Sequence, residues 1–580
     1  MKKTHKLNIN YLIFLLFYMA IAAPWFNLNF SNHSFVKSYV AAIGIGILML
    51  VTLWRVHANT QQITFNLSWL KISWLFLFMI GTISISWSVY VDFSVTKWMM
   101  WFITFCAFIV SYRLQLDKTT LIKFCWGLLI TALIIAIIGI AQYLFDLSVI
   151  TQAAPPASTF GNKNMATQPI VLILPFTLFL LFHDKIKGIK VWVVTVSIAL
   201  IMAYIFYTRT RASWVSIVIE VFLLASFLIV KRKNIKQWTN WNKSKTQSSI
   251  VATLLFFILV FFDLQSSSLA IKTTSQIRFD IWQVAINMIE VSPFFGSGLG
   301  SWFYNETEGG FGVLGATTFT HVHNDLLELG VELGVLGVMA LLLSVVTSIV
   351  AVFKIVDKDD TSFAWFYYLI WVALAGSFVQ MQFSFPYQLA LPSLLLGLYL
   401  GMIAQRSELF IPSVKTIQIK KSVKSYKYIV KSFASVIVIG VFIIYANWFV
   451  MHDDLNTMVK TNKISQIQNI KPVYARMFPI TSLNQFSEIL VSADRVNGAI
   501  IIDRYLLNIF PNYSHTLLRY AKSLMKKKHY ETALKVVTKL KSVAVKGYYK
   551  RTLMVEAEIY LNTGKIDKFR QIFDEIVTYQ

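Results

Sequence analysis

The chain has 580 residues, of which 56% are hydrophobic, 15% aromatic and only 14% charged, a mixture far outside the soluble globular range. A net charge of +25 would suit a nucleic-acid partner, but the cations sit in the connections between apolar blocks, which excludes that reading. The blocks run to roughly 20 residues, the length that crosses a bilayer core as a helix, and the alternation of a membrane β-barrel is absent.

In chain order, MKKTHKLNIN precedes an apolar run that continues through Pro24 with no small-residue cleavage site, so it reads as a first span and not as a leader. Spans are predicted at about 11–30, 36–54, 69–90, 95–114, 121–145, 164–183, 191–207, 213–231, 249–264, 333–354, 363–382, 385–404 and 432–449. The expected fold is therefore all-α: a polytopic membrane protein of about 12–13 transmembrane helices. Cys106 and Cys125 lie in adjacent blocks, giving neither a disulfide framework nor a metal-ligand spacing.

Basic residues mark alternate connections: Arg55; Arg113 with Lys118; Lys185, Lys187 and Lys190; Lys231 to Lys245; Lys354 and Lys358; and Arg406 to Lys431. With Lys2, Lys3 and Lys6, they put the N-terminus in the cytoplasm, and they need no recognition role to explain them. The chain then divides into N-terminal spans (1–264), an outer loop (265–332), C-terminal spans (333–450) and an extracytoplasmic helical domain (451–580). In that last region Ala521, Leu524, Ala533, Val537 and Leu540 have counterparts in Ala557, Tyr560, Phe569, Phe573 and Ile576, an offset of about 36 residues close to the tetratricopeptide (TPR) period. An ordinary helical hairpin would use the same positions.

Ionisable groups at membrane depth are costly, so those expected at the outer ends of spans stand out. They are Lys163 in STFGNKNMATQ, Arg209 and Arg211 in TRTRASW, Arg278 in RFDIW, and His321 and His323 in THVHNDLLELGVELG. Several cations converging on one side suit an anion, and the guanidinium fork suits phosphate oxygens, although arginines at helix ends also snorkel to lipid headgroups. His323 is placed as a proton acceptor that Asp325 or Glu328 would orient, with His321 pointing elsewhere if the entry is extended. The H-x-H pair invites a metal, but nearby carboxylates do not complete a ligand spacing, so none is expected. Gly296, Gly298 and Gly300 read as a turn, and Asn305-Glu306-Thr307 matches a glycosylation sequon.

THVHNDLLELGVELGVLG resembles the histidine motif of the O-antigen ligase and O-antigen polymerase superfamily, and RFDIWQVAINMIEVSPFFGSGLGSW the stretch upstream of it. STFGNKNMATQ and TRTRASW resemble that family's Asn-rich and arginine motifs, in the same order, so the likeness covers about residues 11–450. The resemblance implies a metal-independent, GT-C-like membrane glycosyltransferase with no cofactor. It would move an oligosaccharide from an undecaprenyl diphosphate carrier to an acceptor hydroxyl in the bacterial inner membrane. It assigns His323 as base, Arg278 and Arg211 to the diphosphate, and Arg209, Lys163, Asn162, Asn164, His321, Asn324 and Glu332 to substrate binding. The acceptor would be lipid A-core, with protein, as in pilin-type O-oligosaccharyltransferases, or a growing polymer as alternatives. The rival class is a lipid-linked sugar transporter, disfavoured because the span interiors look nearly free of charge and no inverted repeat is apparent.

Overall fold

A computed structural model describes residues 9–23, 33–55, 62–88, 91–114, 116–147, 149–150, 152–183, 185–230, 242–266, 275–302, 320–359, 362–420, 431–444, 446–447, 480–543 and 546–578. The sequon and the basic runs 231–236 and 421–427 lie outside these residues.

The membrane part contains α1 (Ile9–Ile21), α2 (His33–Arg55), α3 (Trp69–Ser84), α4 (Val91–Arg113), α5 (Lys118–Leu144), α6 (Lys163–Phe182) and α7 (Ile189–Thr208). It continues with α8 (Arg211–Val230), α9 (Lys243–Ser266), α10 (Ser275–Val291), α11 (Asp325–Lys358), α12 (Ser362–Gln380), α13 (Ala390–Ser407) and α14 (Lys431–Ile444). Among the described residues, ten helices are long and apolar enough to cross a bilayer: α2 to α9, α11 and α12. This is a multi-pass, all-α membrane protein. Three of the thirteen predicted spans fall short of that measure: α1 and α14 are short where described, and α13 is diluted by Gly, Ser, Gln405 and Arg406.

The helices surround one apolar core, in which α13 packs closely on α4, α12 on α6 and α8, and α11 on α3. Small residues permit that approach: a Cβ on Gly397 of α13 would sit 2.8 Å from the Ala107 Cβ of α4. Cys106 and Cys125 are buried free thiols in this core. At one end of the bundle, strands β1 (Gln62–Leu67) and β2 (Lys415–Lys420) pair antiparallel, Gln62 opposite Lys420, beside the ion pairs Lys71–Glu408 and Arg406–Asp359.

At the other end α11 is broken. Gly334 (φ +63°, ψ −164°) interrupts the helix, freeing the Val331 and Glu332 carbonyls to accept from the Ser297 and Gly298 amides at 2.9 Å. In return the amides of Val335 and Leu336 donate to Pro293 and Phe294 (2.7 and 3.2 Å). The Gly296 to Gly300 segment is therefore a turn that plugs the helix break, and it and the residues before it satisfy four backbone groups at the break.

The chain ends in α15 (Ile480–Ser492), α16 (Val496–Ile509), α17 (Ser514–Lys526), α18 (Tyr530–Val543), α19 (Lys546–Asn562) and α20 (Ile566–Thr578), stacked in sequence order. Ala521, Leu524, Ala533, Val537 and Leu540 share one small core, and Ala557, Tyr560, Phe569 and Ile576 another, whereas Phe573 is half exposed. Residues 451–479, at the start of the predicted terminal domain, lie outside the described residues. The first pair of terminal helices is not separate from the membrane part: Leu490, Ile502, Leu506 and Phe510 share a core with Ile281, Ala285 and Met288 of α10 and with Val322 and Val331.

Candidate functional site

Helix ends bring the cations together. α7 closes at Thr208, Arg209 takes a left-handed conformation (φ +52°) and Arg211 opens α8, so this tight reversal leaves both guanidinium groups exposed at one junction. Asn162 caps α6 by accepting from the Asn164 amide (2.9 Å), and Thr210 donates to the Asn164 side-chain oxygen (3.1 Å), which joins the N-termini of α6 and α8. Lys163 and Arg209 are electrostatic neighbours there. Below this junction Gln380 of α12 donates to Ser213 (3.0 Å), Ser213 to Thr167 (2.8 Å) and Gln168 to Ser384 (2.6 Å), tying α6, α8 and α12 into one frame.

Arg278 of α10 meets the same patch. Burial, and then the nearby Arg211 guanidinium, lowers its pKa. Among the described residues, no carboxylate pairs with Arg211 or Arg278, so two adjacent guanidinium groups stand without a protein anion. His323, also left-handed (φ +58°), turns its ring onto Phe385 with centroids 5.1 Å apart. Burial first, then Arg278 and His321, press its pKa from 6.5 to about 4 against the opposite pull of Glu328, so the imidazole is neutral at pH 7. A neutral imidazole beside two helix N-termini and two arginines that have no carboxylate partner among the described residues suits an anion together with a proton donor.

Residues 194–342 match the O-antigen ligase family model. Among curated proteins none matches the chain. The matched segment contains Arg209, Arg211, Arg278, His321, His323, Asn324 and Glu332, while Asn162, Lys163 and Asn164 reach the site from the start of α6, ahead of it.

The orienting carboxylates differ from expectation. Asp325 does not serve His323: its oxygens accept from the Tyr387 amide and the Gln388 side chain, both at 3.1 Å, fastening the 381–389 turn to α11. Glu328 serves His321, at 3.2 Å from Nδ1. His321 is not turned away either, because the left-handed step at His323 folds the entry and both rings lie against Phe385, His321 stacking at 4.4 Å. Asn324 spends its side-chain oxygen on the Leu326 and Leu327 amides (3.0 and 3.1 Å), the N-cap of α11. Glu332 is buried, 2.7 Å from Lys97, below the exposed patch.

Three buried ionisable residues lay outside the sequence reading. Lys97 of α4 ion-pairs with both Glu328 (2.6 Å) and Glu332 (2.7 Å). Lys37 of α2 donates to the carbonyls of Met19 and Ala22 and to Thr159 (2.6, 2.7 and 2.9 Å), holding the loop before Asn162. Glu220, one helical face inward on α8, is fully buried. The spans are thus not nearly charge-free, and a scan for single ionisable residues within apolar runs would have found all three. Phe385 carries no such signal, since an aromatic residue in an apolar segment is ordinarily core. Among the described residues, no group of three or more His, Cys, Asp and Glu side chains could hold a metal.

Proposed function

We propose that this protein is a membrane glycosyltransferase of the O-antigen ligase type, taking a glycan from an undecaprenyl diphosphate carrier and joining it to an acceptor hydroxyl. The observation that carries the reading is the pair Arg211 and Arg278, adjacent and without a carboxylate partner among the described residues, beside a histidine kept neutral. In this reaction His323 accepts the hydroxyl proton, the acceptor oxygen bonds to the anomeric carbon, and the carbon–oxygen bond to the diphosphate breaks. Arg211 and Arg278, with Arg209 and Lys163 at the rim, take up the charge that collects on the departing diphosphate. The guanidinium groups supply the positive charge themselves, so the reaction is assigned no metal or other cofactor.

The acceptor of first choice is lipid A-core, in the bacterial inner membrane with the N-terminus cytoplasmic and the terminal domain, read as TPR-like, periplasmic. A protein acceptor is the second reading, favoured by the docking of α15 and α16 directly on α10 and the histidine loop, where a bound chain would lie close to the site.

The test is transfer in proteoliposomes loaded with an undecaprenyl-diphosphate oligosaccharide. His323→Ala and Arg278→Ala are expected to insert normally and give no product; product at the wild-type rate would remove the assignment. If these variants instead blocked movement of the lipid-linked sugar across the bilayer while a supplied enzyme still transferred it, the protein would be a transporter. Mass spectrometry of lipopolysaccharide and envelope proteins from a strain lacking the gene shows which pool loses its glycan.

A further inference from the structure

Beneath the histidine loop lies a buried ionic cluster that the reaction as proposed does not use. Lys97 of α4 pairs with Glu328 (2.6 Å) and Glu332 (2.7 Å), and all three side chains are at least nine-tenths buried. Glu328 also accepts from the Val322 amide (3.0 Å) and meets His321 Nδ1 at 3.2 Å. One lysine against two carboxylates leaves the cluster one positive charge short, and His321, with a quarter of its side chain exposed, forms its outer edge.

A carboxylate already receiving from a lysine and an amide can only accept, so Nδ1 of His321 must carry the hydrogen that points at it. In the neutral ring that leaves the lone pair on Nε2, on the side away from the cluster. Phe385, stacked on His321 and edge-on to His323, holds the two imidazoles against one ring.

We infer that Glu328, anchored by Lys97, is a positioning residue that fixes the tautomer of His321 and so presents Nε2 as a hydrogen-bond acceptor for a second hydroxyl of the incoming sugar, next to the one that His323 deprotonates. The inference rests on the transfer reaction proposed above for what that acceptor binds, but not for the tautomer itself. Lys97 acts one step further back, keeping Glu328 ionised and in place.

Nitrogen NMR of the full-length protein in nanodiscs, with labelled histidine and His321→Gln to assign the resonance, is expected to show His321 protonated on Nδ1. Protonation on Nε2 alone would overturn the inference, whatever the variants do. Glu328→Gln can offer its amide NH2 to the ring and should move the hydrogen to Nε2. Glu328→Gln should also slow glycan transfer at least about tenfold in the wild-type background and less than about twofold in a His321→Ala background. An equal loss in both backgrounds would make Glu328 a structural residue only. Absence of any transfer by the wild-type protein would defeat the reaction, while the tautomer would still decide this inference.

Discussion

If His323 is the base, its protonation should set the acid limb of the transfer rate. A free imidazole would give a midpoint near 6.5; the buried one is held at about 4, a difference of about 3 kcal/mol against the imidazolium. Burial supplies the largest share and Arg278 the next. The wild-type single-turnover rate should therefore be flat from pH 8 to pH 5 and fall only below that. Arg278→Gln removes the second cause but not the first, so the midpoint should rise by roughly one unit and remain under 6.5. The plateau should drop roughly a hundredfold, because a donor to the leaving diphosphate is lost as well. The two effects separate cleanly, one in the position of the limb and the other in its height. Stability follows with a definite sign: below pH 6.5 the unfolded chain takes up a proton that the folded site refuses, so this contribution is lost as pH falls from 6.5 towards 4 and is constant above. The assay is rapid-quench transfer from the lipid-linked donor in detergent at fixed ionic strength. A wild-type midpoint near 6.5, or a midpoint lowered by Arg278→Gln, would refute both the environment and the role assigned to His323.

Other outcomes can be checked independently. Gly334→Val should cost at least about 1–3 kcal/mol, because φ +63° combined with ψ −164° suits only glycine and a Cβ would sit 2.5 Å from the Phe294 carbonyl carbon; a lowered Tm in a detergent thermal-shift assay, with lost transfer, is the expected result. Arg519→Met strands Asp503, whose carboxylate it binds at 2.6 Å within the α15–α17 core, and should destabilise by about 3–5 kcal/mol; adding Asp503→Leu should restore much of that, seen as protease resistance of the terminal helices. Chelation with EDTA should leave the transfer rate unchanged, and a rate restored only by added Mg2+ or Mn2+ would require a metal in the mechanism.

Hydropathy and length were enough to read a multi-span helical protein from the sequence, because each span must satisfy its own backbone in lipid and so announces itself locally. The cation and histidine positions were legible too, through motif order and expected sidedness. The partnership among them was not. Glu328 and Asp325 lie on one turn of helix near both histidines, and sequence spacing gives either carboxylate to His323. The left-handed φ at His323 and the Tyr387–Gln388 turn decide otherwise, sending Glu328 to His321 and Asp325 to the neighbouring loop. Lys97 lies 231 residues from Glu328 along the chain, and only the tertiary fold brings their side chains to ion-pair distance. The sequence reading of the terminal region stopped at its repeat and did not foresee that α15 and α16 share a core with α10. Sequence by itself determined that the chain is a multi-pass helical membrane protein, since that follows from transfer free energies of single segments. Which side chain holds which was decided by tertiary structure alone, because hydrogen bonds and ion pairs act over about 3 Å and their partners are set by how distant helices pack.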